Sequence, residues 1–407
     1  MVFAFGVVLF ALGIGVSIAL HEAGHMWTAK ALGMKVRRYY IGFGPKIFSF
    51  RRGETEYGLK ALPLGGFCDI AGMTALDEMT PEEEPHAMYK KAAWKRVVVM
   101  SGGIAMNFIL GLLLIYALLL GWGATTTAPA PAVVEKLSCV APTQYGQDKN
   151  WDLAPCEGGG PAEAAGILPG DRITAVNGKP VDTFKEVSAA IRDTTGTVDL
   201  TVERGGQTLQ FPVAVTSAER YVTVPGSTTP ELTKVSAVGI VGVTPEPERY
   251  NALTAVPAAF DFTGEIMVDS VKALADIPSK VGALWESVTG GERALDTPIS
   301  VVGASVIGGE AAERAAWPQF VMLLASINFF LGVFNILPLL PLDGGHIAVV
   351  FYERIRDWFR ARRGLIAGGP VDYTKLLPIT YVFIVIGGAF MLLTLTADIV
   401  NPIKIFG

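Results

Sequence analysis

The stretch that decides the fold reads Ser17-Ile18-Ala19-Leu20-His21-Glu22-Ala23-Gly24-His25-Met26-Trp27, and it ends an apolar run that begins at the first residue. A membrane helix has no structural use for three ionisable side chains, so their presence indicates a functional site. His21 and His25 are four residues apart and therefore project from one face of a helix, with Glu22 beside them. In this HExxH pattern two imidazoles bind Zn²⁺ and the glutamate takes a proton from the attacking water.

The composition predicts a membrane protein. Of the 407 residues 51% are hydrophobic and 17% are charged, against about 25% charged in an ordinary soluble domain. Four uncharged segments are long enough to cross about 30 Å of hydrocarbon: 1–20, 97–122, 319–342 and 376–397. The first lacks the basic start and the cleavage site of a signal peptide, so we interpret it as a retained span.

The distribution of Lys and Arg predicts the orientation in the membrane. Residues 30–96 carry twelve of them and residues 354–375 carry six, so both segments are expected to face the cytoplasm. The long segment between the second and third spans then lies outside. The net charge of -5, without a basic stripe interleaved with aromatic residues, argues against nucleic-acid binding.

Between the first two spans the alternation of residues 47–50 and 57–62 around the polar turn 51–54 predicts a β-hairpin. The next residues, 63–67, are apolar but rich in Pro and Gly. Irregular backbone of this kind needs protein or water to satisfy its polar groups. We therefore expect 63–67 to lie on the membrane or dip into it.

The outer segment opens with a Thr/Ala/Pro-rich linker, 124–132, and then shows the pattern of a small α/β domain. A short helix and a Gly turn within 160–173 precede a tight Asn177-Gly178 turn. A helix at 185–192 and strands at 198–204 and 207–213 follow. Together these resemble a PDZ domain, which binds an extended peptide at a sheet edge. A structural β-domain that binds nothing is the alternative, since residues 238–242 are only a weak candidate for a carboxylate-binding loop.

Hydrophobic residues recur at helical spacing through residues 251–286, with charges between them. This pattern favours two amphipathic helices on the outer membrane surface. A helical subdomain that faces the solvent fits nearly as well.

A catalytic zinc needs a third protein ligand and an open fourth position. His86 lies in an acidic loop and is expected to be solvated, whereas Asp343, in Leu342-Asp343-Gly344-Gly345-His346, is the better candidate. The first and third spans both run inward, so positions about 20 residues along each reach the same depth. His21, His25 and Asp343 can therefore converge, and His346 is expected to support the site without binding the metal.

The HExxH span, the segments 40–45 and 62–67, and residues 335–346 together resemble the site-2 protease family of intramembrane zinc metalloproteases. The similarity covers nearly the whole chain and is strongest to bacterial, actinobacterial-like members with one PDZ domain. The resemblance implies that His21, His25 and Asp343 bind zinc and that Glu22 is the general base. It also implies cleavage of a transmembrane helix after an earlier protease has trimmed its outer part.

The resemblance also suggests residues that hold the substrate. Asn335 and Asn107 are similar to family asparagines near the active site, although each could instead make an interhelical hydrogen bond. A substrate helix must unwind before it is cut, and the hairpin edge at Tyr57, Leu59 and Ala61 could pair with its exposed backbone.

Cysteine usage agrees with this topology. Cys139 and Cys156 lie in the outer segment, where an oxidising compartment allows a disulfide, although two free thiols are the alternative. Cys68 is expected to be cytoplasmic and reduced.

We therefore predict an α-helical polytopic membrane protein with four transmembrane helices, a membrane-associated β-hairpin and one extracytoplasmic PDZ-like α/β domain. The predicted segments are 1–32, the first span with HExxH; 33–96, the cytoplasmic or membrane-dipping hairpin segment; 97–123, the second span; 124–250, the linker and PDZ domain; 251–316, amphipathic juxtamembrane helices; 317–350, the third span with the Leu-Asp-Gly motif; 351–375, a cytoplasmic loop; and 376–407, the fourth span and C-terminus.

The predicted function is zinc-dependent cleavage, within the bacterial cytoplasmic membrane, of single-span proteins such as anti-sigma factors, after a first cut by a site-1 protease. The active site is expected near the cytoplasmic side. Two alternatives are a membrane scaffold, which would not need Glu22, and a metal transporter, which would carry ionisable residues in several spans. The PDZ domain could recognise peptides or exclude substrates with bulky outer domains.

Overall fold

The computed structural model describes residues 1–74, 76–123, 130–146, 152–223, 230–242, 247–291 and 293–403. Contacts divide the chain into two units: Met1–Gly121 with Tyr250–Ile403, and Trp122–Arg249. Most of the predicted linker, 124–129 of 124–132, falls outside the described residues.

The helices are α1 (Val2–Ala31), α2 (Ala93–Gly121), α3 (Pro161–Ala164), α4 (Phe184–Arg192), α5 (Ala255–Val288), α6 (Val301–Glu313), α7 (Trp317–Ile336), α8 (Asp343–Arg362) and α9 (Leu377–Val400). The strands are β1 (Val36–Arg52), β2 (Thr55–Ile70), β3 (Val134–Leu137), β4 (Arg172–Val176), β5 (Lys179–Pro180), β6 (Thr197–Arg204), β7 (Gln207–Ala214), β8 (Thr216–Thr223), β9 (Pro230–Ala237) and β10 (Ile240–Gly242).

In the described part of the chain, α1, α2, α7 and α9 are long and apolar enough to cross a membrane. The predicted set of four spans is confirmed at this level, and the chain is a multi-pass membrane protein. α1 packs against α2 and α6. A buried amide ties α7 to α1, because Asn328 donates to the Ser17 hydroxyl at 3.0 Å.

The third span differs from the prediction of one segment over 317–350. Helix α7 ends at Ile336 and a new helix, α8, begins at Asp343. Pro338 and Pro341 fall in the gap, where each removes a backbone donor that a continuous helix needs. The predicted loop 351–375 is corrected as well, because its first twelve residues continue α8.

The predicted hairpin is present but much longer than residues 47–62, since β1 and β2 together run from Val36 to Ile70. Residues 63–67, expected to be irregular, belong to β2. The register places the first half of β1 between both halves of β2: Tyr39 pairs with Tyr57 and with Cys68. Residues 55–60 also pair with residues 46–52 on their other side.

This register corrects the expectation of an open edge at Tyr57, Leu59 and Ala61. Tyr57 has Phe50 on one side and Tyr39 on the other, and Leu59 has Phe48 and Ile41. The outer segments of the sheet are instead 46–52 and 66–70. Strand β2 contacts α1, the helix that carries the HExxH motif.

The region 251–316 is also corrected. Residues 255–288 form the single helix α5, with Pro278 inside it, where two helices were expected. Helix α6 is not amphipathic, because most of its residues are buried Gly, Ala, Ser and Ile. Small side chains let α6 approach α1 closely: a Cβ on Gly308 would lie 2.5 Å from the Phe10 ring.

The second unit has a four-stranded sheet in the order β5-β4-β6-β7, with the Asn177-Gly178 turn between β4 and β5. Helix α4 begins with a capping box, in which Thr183 accepts from the Glu186 backbone and Glu186 accepts from Thr183. The core includes Ile173, Val187 and Leu200, all fully buried. Residues 240–242, part of the weak loop candidate 238–242, pair with β3.

Candidate metal centre

Three side chains from α1 and α8 meet at one point inside the first unit. The His21 Nε2 and His25 Nε2 atoms are 3.2 Å apart, and Asp343 Oδ2 lies 3.2 Å from the first and 3.3 Å from the second. The sequence separates Asp343 from His21 by more than 300 residues. In the described part of the chain these three form the cluster of His, Cys, Asp and Glu that could hold a metal ion.

This triangle has the dimensions of a tetrahedral zinc site. Ligand atoms about 2.0–2.1 Å from a tetrahedral zinc lie roughly 3.3 Å from one another. Asp343 Oδ2 is buried and makes no hydrogen bond with any described residue, although two imidazole nitrogens lie beside it. A cation satisfies all three lone pairs at once, so the residues fit a bound zinc ion.

The other ring nitrogens fix the direction of both imidazoles. His25 Nδ1 lies 2.8 Å from the Val99 carbonyl of α2, to which it can only donate. That hydrogen bond places the proton on Nδ1 and leaves the Nε2 lone pair facing the cluster. Ligating histidines are commonly held by such a partner.

His21 has an amide as the corresponding partner, because its Nδ1 lies 3.2 Å from Asn107 Nδ2. The two ends of an amide look alike, so its orientation is assigned from the hydrogen bonds available. Asn107 Oδ1 is buried and makes no hydrogen bond with the described residues. Turning the amide over brings Oδ1 to His21 Nδ1–H and leaves His21 Nε2 free to bind metal.

A glycine makes room for both histidines. A Cβ on Gly103 would lie 2.3 Å from His25 Nε2 and 2.8 Å from His21 Cε1. Gly102 and Gly24 bring α1 and α2 into backbone contact one residue earlier. The sequence Ser101-Gly102-Gly103 therefore supplies the gap into which the imidazoles fit.

Glu22 lies between the cluster and the β-sheet. Its carboxylate is close enough to interact electrostatically with His25, His21 and Asp343, and it is within hydrogen-bonding reach of the Cys68 backbone N–H. A Cβ on Gly66 would lie 3.1 Å from Glu22 Cγ and 3.3 Å from Ile18 Cγ2. The outer segment 66–70 of the sheet therefore borders Glu22.

The other residues singled out from the sequence lie as follows. Asn335 donates to the Leu331 carbonyl of its own helix at 3.0 Å. Tyr57 accepts from Lys30 at 2.8 Å, whereas the side chains of Leu59 and Ala61 are exposed. His346 lies 3.3 Å from the Tyr373 hydroxyl, and the exposed His86 contacts the Gly33 carbonyl.

Sequence reasoning missed the backbone groups that contact the site and the glycine that leaves room for it. The Val99 carbonyl and the Cys68 N–H carry no side-chain signature, and Gly103 matters because it has no side chain. The one available signal is the pair Gly102-Gly103, which lies shortly before Asn107, a residue that the resemblance suggests for substrate binding.

The model of peptidase family M50 matches residues 9–371. The chain is 50% identical, over the full length of both proteins, to the zinc metalloprotease Rip1 of Mycolicibacterium smegmatis. It is also 50% identical, over the full length of both, to Rip1 of Mycobacterium tuberculosis. A putative zinc metalloprotease of Agrobacterium fabrum, Atu1380, is 28% identical over 86% of each chain.

The family match spans both helices that supply the cluster, and the fit of the ligand atoms to zinc agrees with it. The chain therefore belongs to peptidase family M50, the site-2 protease family, and is a zinc metalloprotease.

Proposed function

We propose that this protein is an intramembrane zinc endopeptidase in which His21, His25 and Asp343 hold the metal and Glu22 is the general base. The observation that carries the proposal is the triangle formed by His21 Nε2, His25 Nε2 and Asp343 Oδ2, with sides of 3.2–3.3 Å. The Glu22 carboxylate lies beside this triangle. Two corners of the triangle, His21 and His25, lie on the candidate membrane span α1, so the expected substrates are membrane-embedded segments.

Zinc, when bound, polarises the scissile carbonyl and makes a coordinated water more acidic. Glu22 accepts the proton of the attacking water and passes it to the leaving amine. Asn107 is a positioning residue, because its amide oxygen accepts from His21 and fixes the ring. The break between α7 and α8 lets Asp343, the first residue of α8, reach His21 and His25.

The substrate backbone is held by strand addition at residues 66–70. This segment is the edge that borders Glu22, whereas two other segments of the sheet separate it from the edge at 46–52. An unwound substrate must find new partners for its amides in a membrane. The inner strand segment that contains Tyr57, Leu59 and Ala61 then supports the sheet and does not pair with substrate. Tyr57 and Leu59 are already paired on both sides, and Ala61 follows directly after them.

The second unit acts as an extracytoplasmic PDZ-like domain. Its support is the sheet β5-β4-β6-β7 with the capped helix α4. It either binds a peptide end or rejects substrates with bulky outer domains. The substrates are single-span proteins such as anti-sigma factors, cut after a site-1 protease in regulated intramembrane proteolysis at the bacterial inner membrane, with the metal site near the cytoplasmic side.

The test is cleavage of a purified single-span substrate, already trimmed on its outer side, in proteoliposomes with the full chain. Mass spectrometry of the products locates the cut. A cut inside the hydrophobic segment, lost in Glu22→Gln, supports the proposal. A cut outside the hydrophobic segment, or none with zinc bound, would contradict it.

The edge assignment is tested with Glu22→Gln loaded with zinc, which holds substrate without cutting it. A photoreactive residue in the substrate next to the cut site should crosslink to 66–70. The segment 46–52, of similar length, is the internal control. Crosslinks to 46–52 in place of 66–70 would refute strand addition at this edge.

A further inference from the structure

The second half of α8 exposes an apolar surface that no other described residue covers. Between residues 351 and 366 seven apolar side chains are each at least half exposed: Phe351, Tyr352, Ile355, Trp358, Phe359, Leu365 and Ile366. A cluster of seven exposed apolar side chains on a segment outside the candidate spans indicates an interaction surface.

The apolar residues lie on one side of the helix. At 3.6 residues per turn, the five from Phe351 to Phe359 fall within an arc of about 120°. Arg354 borders this arc on one side, and Arg356 and Arg363 border it on the other. Glu353 and Asp357 lie on the opposite face, so the helix is amphipathic with cationic flanks.

The acidic residues of this helix are already paired within the protein. Glu353 accepts from Arg96 at 2.6 Å in a buried ion pair and from the Val371 N–H. Asp357 accepts from Arg356 and from the Gly368 N–H. The face that remains for a partner is therefore positive.

Three guanidinium groups are available to that partner. Arg354, Arg362 and Arg363 are exposed and have no ion pair or hydrogen bond with the residues that the structure describes. Arg362 stacks on the Trp358 ring, with 3.9 Å between the guanidinium carbon and the ring centroid. Arg362 lies at the C-terminal end of the arc, about one turn after Trp358, and an arginine there can extend past apolar side chains to an anionic group.

The position of α8 in the chain brings this face to a membrane surface. Six residues separate the end of α7 from α8, and fourteen residues separate the end of α8 from α9. The whole segment 337–376 therefore lies on one side of the bilayer. Its arginines bar α8 from crossing the membrane, and the apolar arc favours burial at the boundary between headgroups and acyl chains.

We propose that residues 351–362 of α8 and the turn 363–366 that follows lie in the plane of the membrane and bind anionic lipid headgroups through Arg354, Arg362 and Arg363. The apolar arc enters the leaflet on the side of the metal site, and the arginines contact phosphate groups at its rim. Because α8 begins with Asp343, the same contact also holds the third ligand of the proposed zinc site in place.

The test uses the full chain in nanodiscs of phosphatidylcholine, with or without phosphatidylglycerol, and amide exchange of the peptide 351–366 as the readout. Each arginine near an anionic surface strengthens membrane binding by roughly fivefold. Three arginines should therefore slow amide exchange at least about tenfold when phosphatidylglycerol is present. Added salt should weaken the response.

The triple variant R354Q/R362Q/R363Q should lose the response, whereas R354K/R362K/R363K should keep it. The control R172Q/R192Q/R249Q removes the same charge from exposed positions of the second unit and should respond like the wild type. Two results would overturn the proposal. One is an exchange rate in the wild type that does not change with phosphatidylglycerol, and the other is an equal response in the wild type and in R354Q/R362Q/R363Q. Protection that follows the number of protein copies per disc would assign the face to a second copy and would also overturn it.

Discussion

Gly103 leaves room for the two imidazoles of the proposed metal centre because it has no side chain. Two imidazoles from successive turns of α1 need space on the facing helix, and α2 provides it at this residue. The motif HExxH predicts the two proposed histidine ligands from sequence, because their spacing is a property of one helix. The partners that orient them belong to another helix, and no local pattern in α1 reveals them.

Gly103→Ala should lose zinc. The added Cβ would lie 2.3 Å from His25 Nε2, so a ligand must move, and disturbed support of a ligand typically costs 10- to 100-fold in metal affinity. Zinc retention against a competing chelator measures the effect. Gly121→Ala, at the other end of α2 and without neighbours within 4 Å, is the control and should retain zinc like the wild type. Equal retention in both variants would show that the gap is not needed.

Asn107→Leu should also weaken zinc binding, by about tenfold or more, because His21 Nδ1 then has no acceptor. Asn107→Asp keeps an acceptor and should restore binding. The matched control is Asn335→Leu, since that amide bonds within its own helix. Greater zinc loss in Asn335→Leu than in Asn107→Leu would reverse the assignment of the two asparagines.

At the scale of elements, the sequence predicted the four spans and the hairpin because long apolar runs and alternation are local signals. The prediction of amphipathic helices over 251–316 was wrong for α6, because its buried Gly and Ala residues leave it without a polar face. Sequence reasoning also chose the wrong sheet edge. Strand pairing between residues 36–43 and 55–62 depends on how β1 folds back, which alternation within each strand does not encode.

An ion-pair cluster attaches the loop after β2 to β1. Glu83 accepts from Arg37 at 2.9 Å and lies 3.1 Å from Lys35 Nζ, and the Arg37 hydrogen bond lowers the pKa of Glu83 from 4.5 to about 2. A lowered pKa in the folded state stabilises the fold above pH 4.5, and this contribution disappears as the pH falls towards 2.

The thermal stability of wild type should therefore exceed that of Glu83→Gln at pH 7, and more than half of the difference should be lost by pH 3. Glu82→Gln removes the same charge from an exposed neighbour and should match the wild type at both pH values. A difference between wild type and Glu83→Gln that does not change with pH would contradict the ion-pair explanation.

At the scale of the whole molecule, the chain divides into a membrane unit with the proposed metal centre and a second unit with its own core. The second unit contains a disulfide between Cys139 and Cys156, 17 residues apart. Sequence reasoning placed both cysteines in one outer segment, but their pairing could not be deduced from a single sequence.

The double variant Cys139→Ser with Cys156→Ser should destabilise the second unit by roughly 3 kcal/mol, because a loop of this length is no longer closed in the unfolded chain. Amide exchange in β4 and β6 should accelerate about a hundredfold. Zinc retention in the first unit should not change. Unaltered exchange in β4 and β6 would mean that the crosslink does not stabilise this unit.

The most direct measurement of the central claim is zinc content and substrate cleavage, side by side, for wild type, Glu22→Gln and Asp343→Ala. We predict zinc and cleavage in the wild type, zinc without cleavage in Glu22→Gln, and neither in Asp343→Ala after chelator treatment. Full zinc retention in Asp343→Ala would remove Asp343 from the ligand set. Undiminished cleavage by Glu22→Gln would contradict its role as the base.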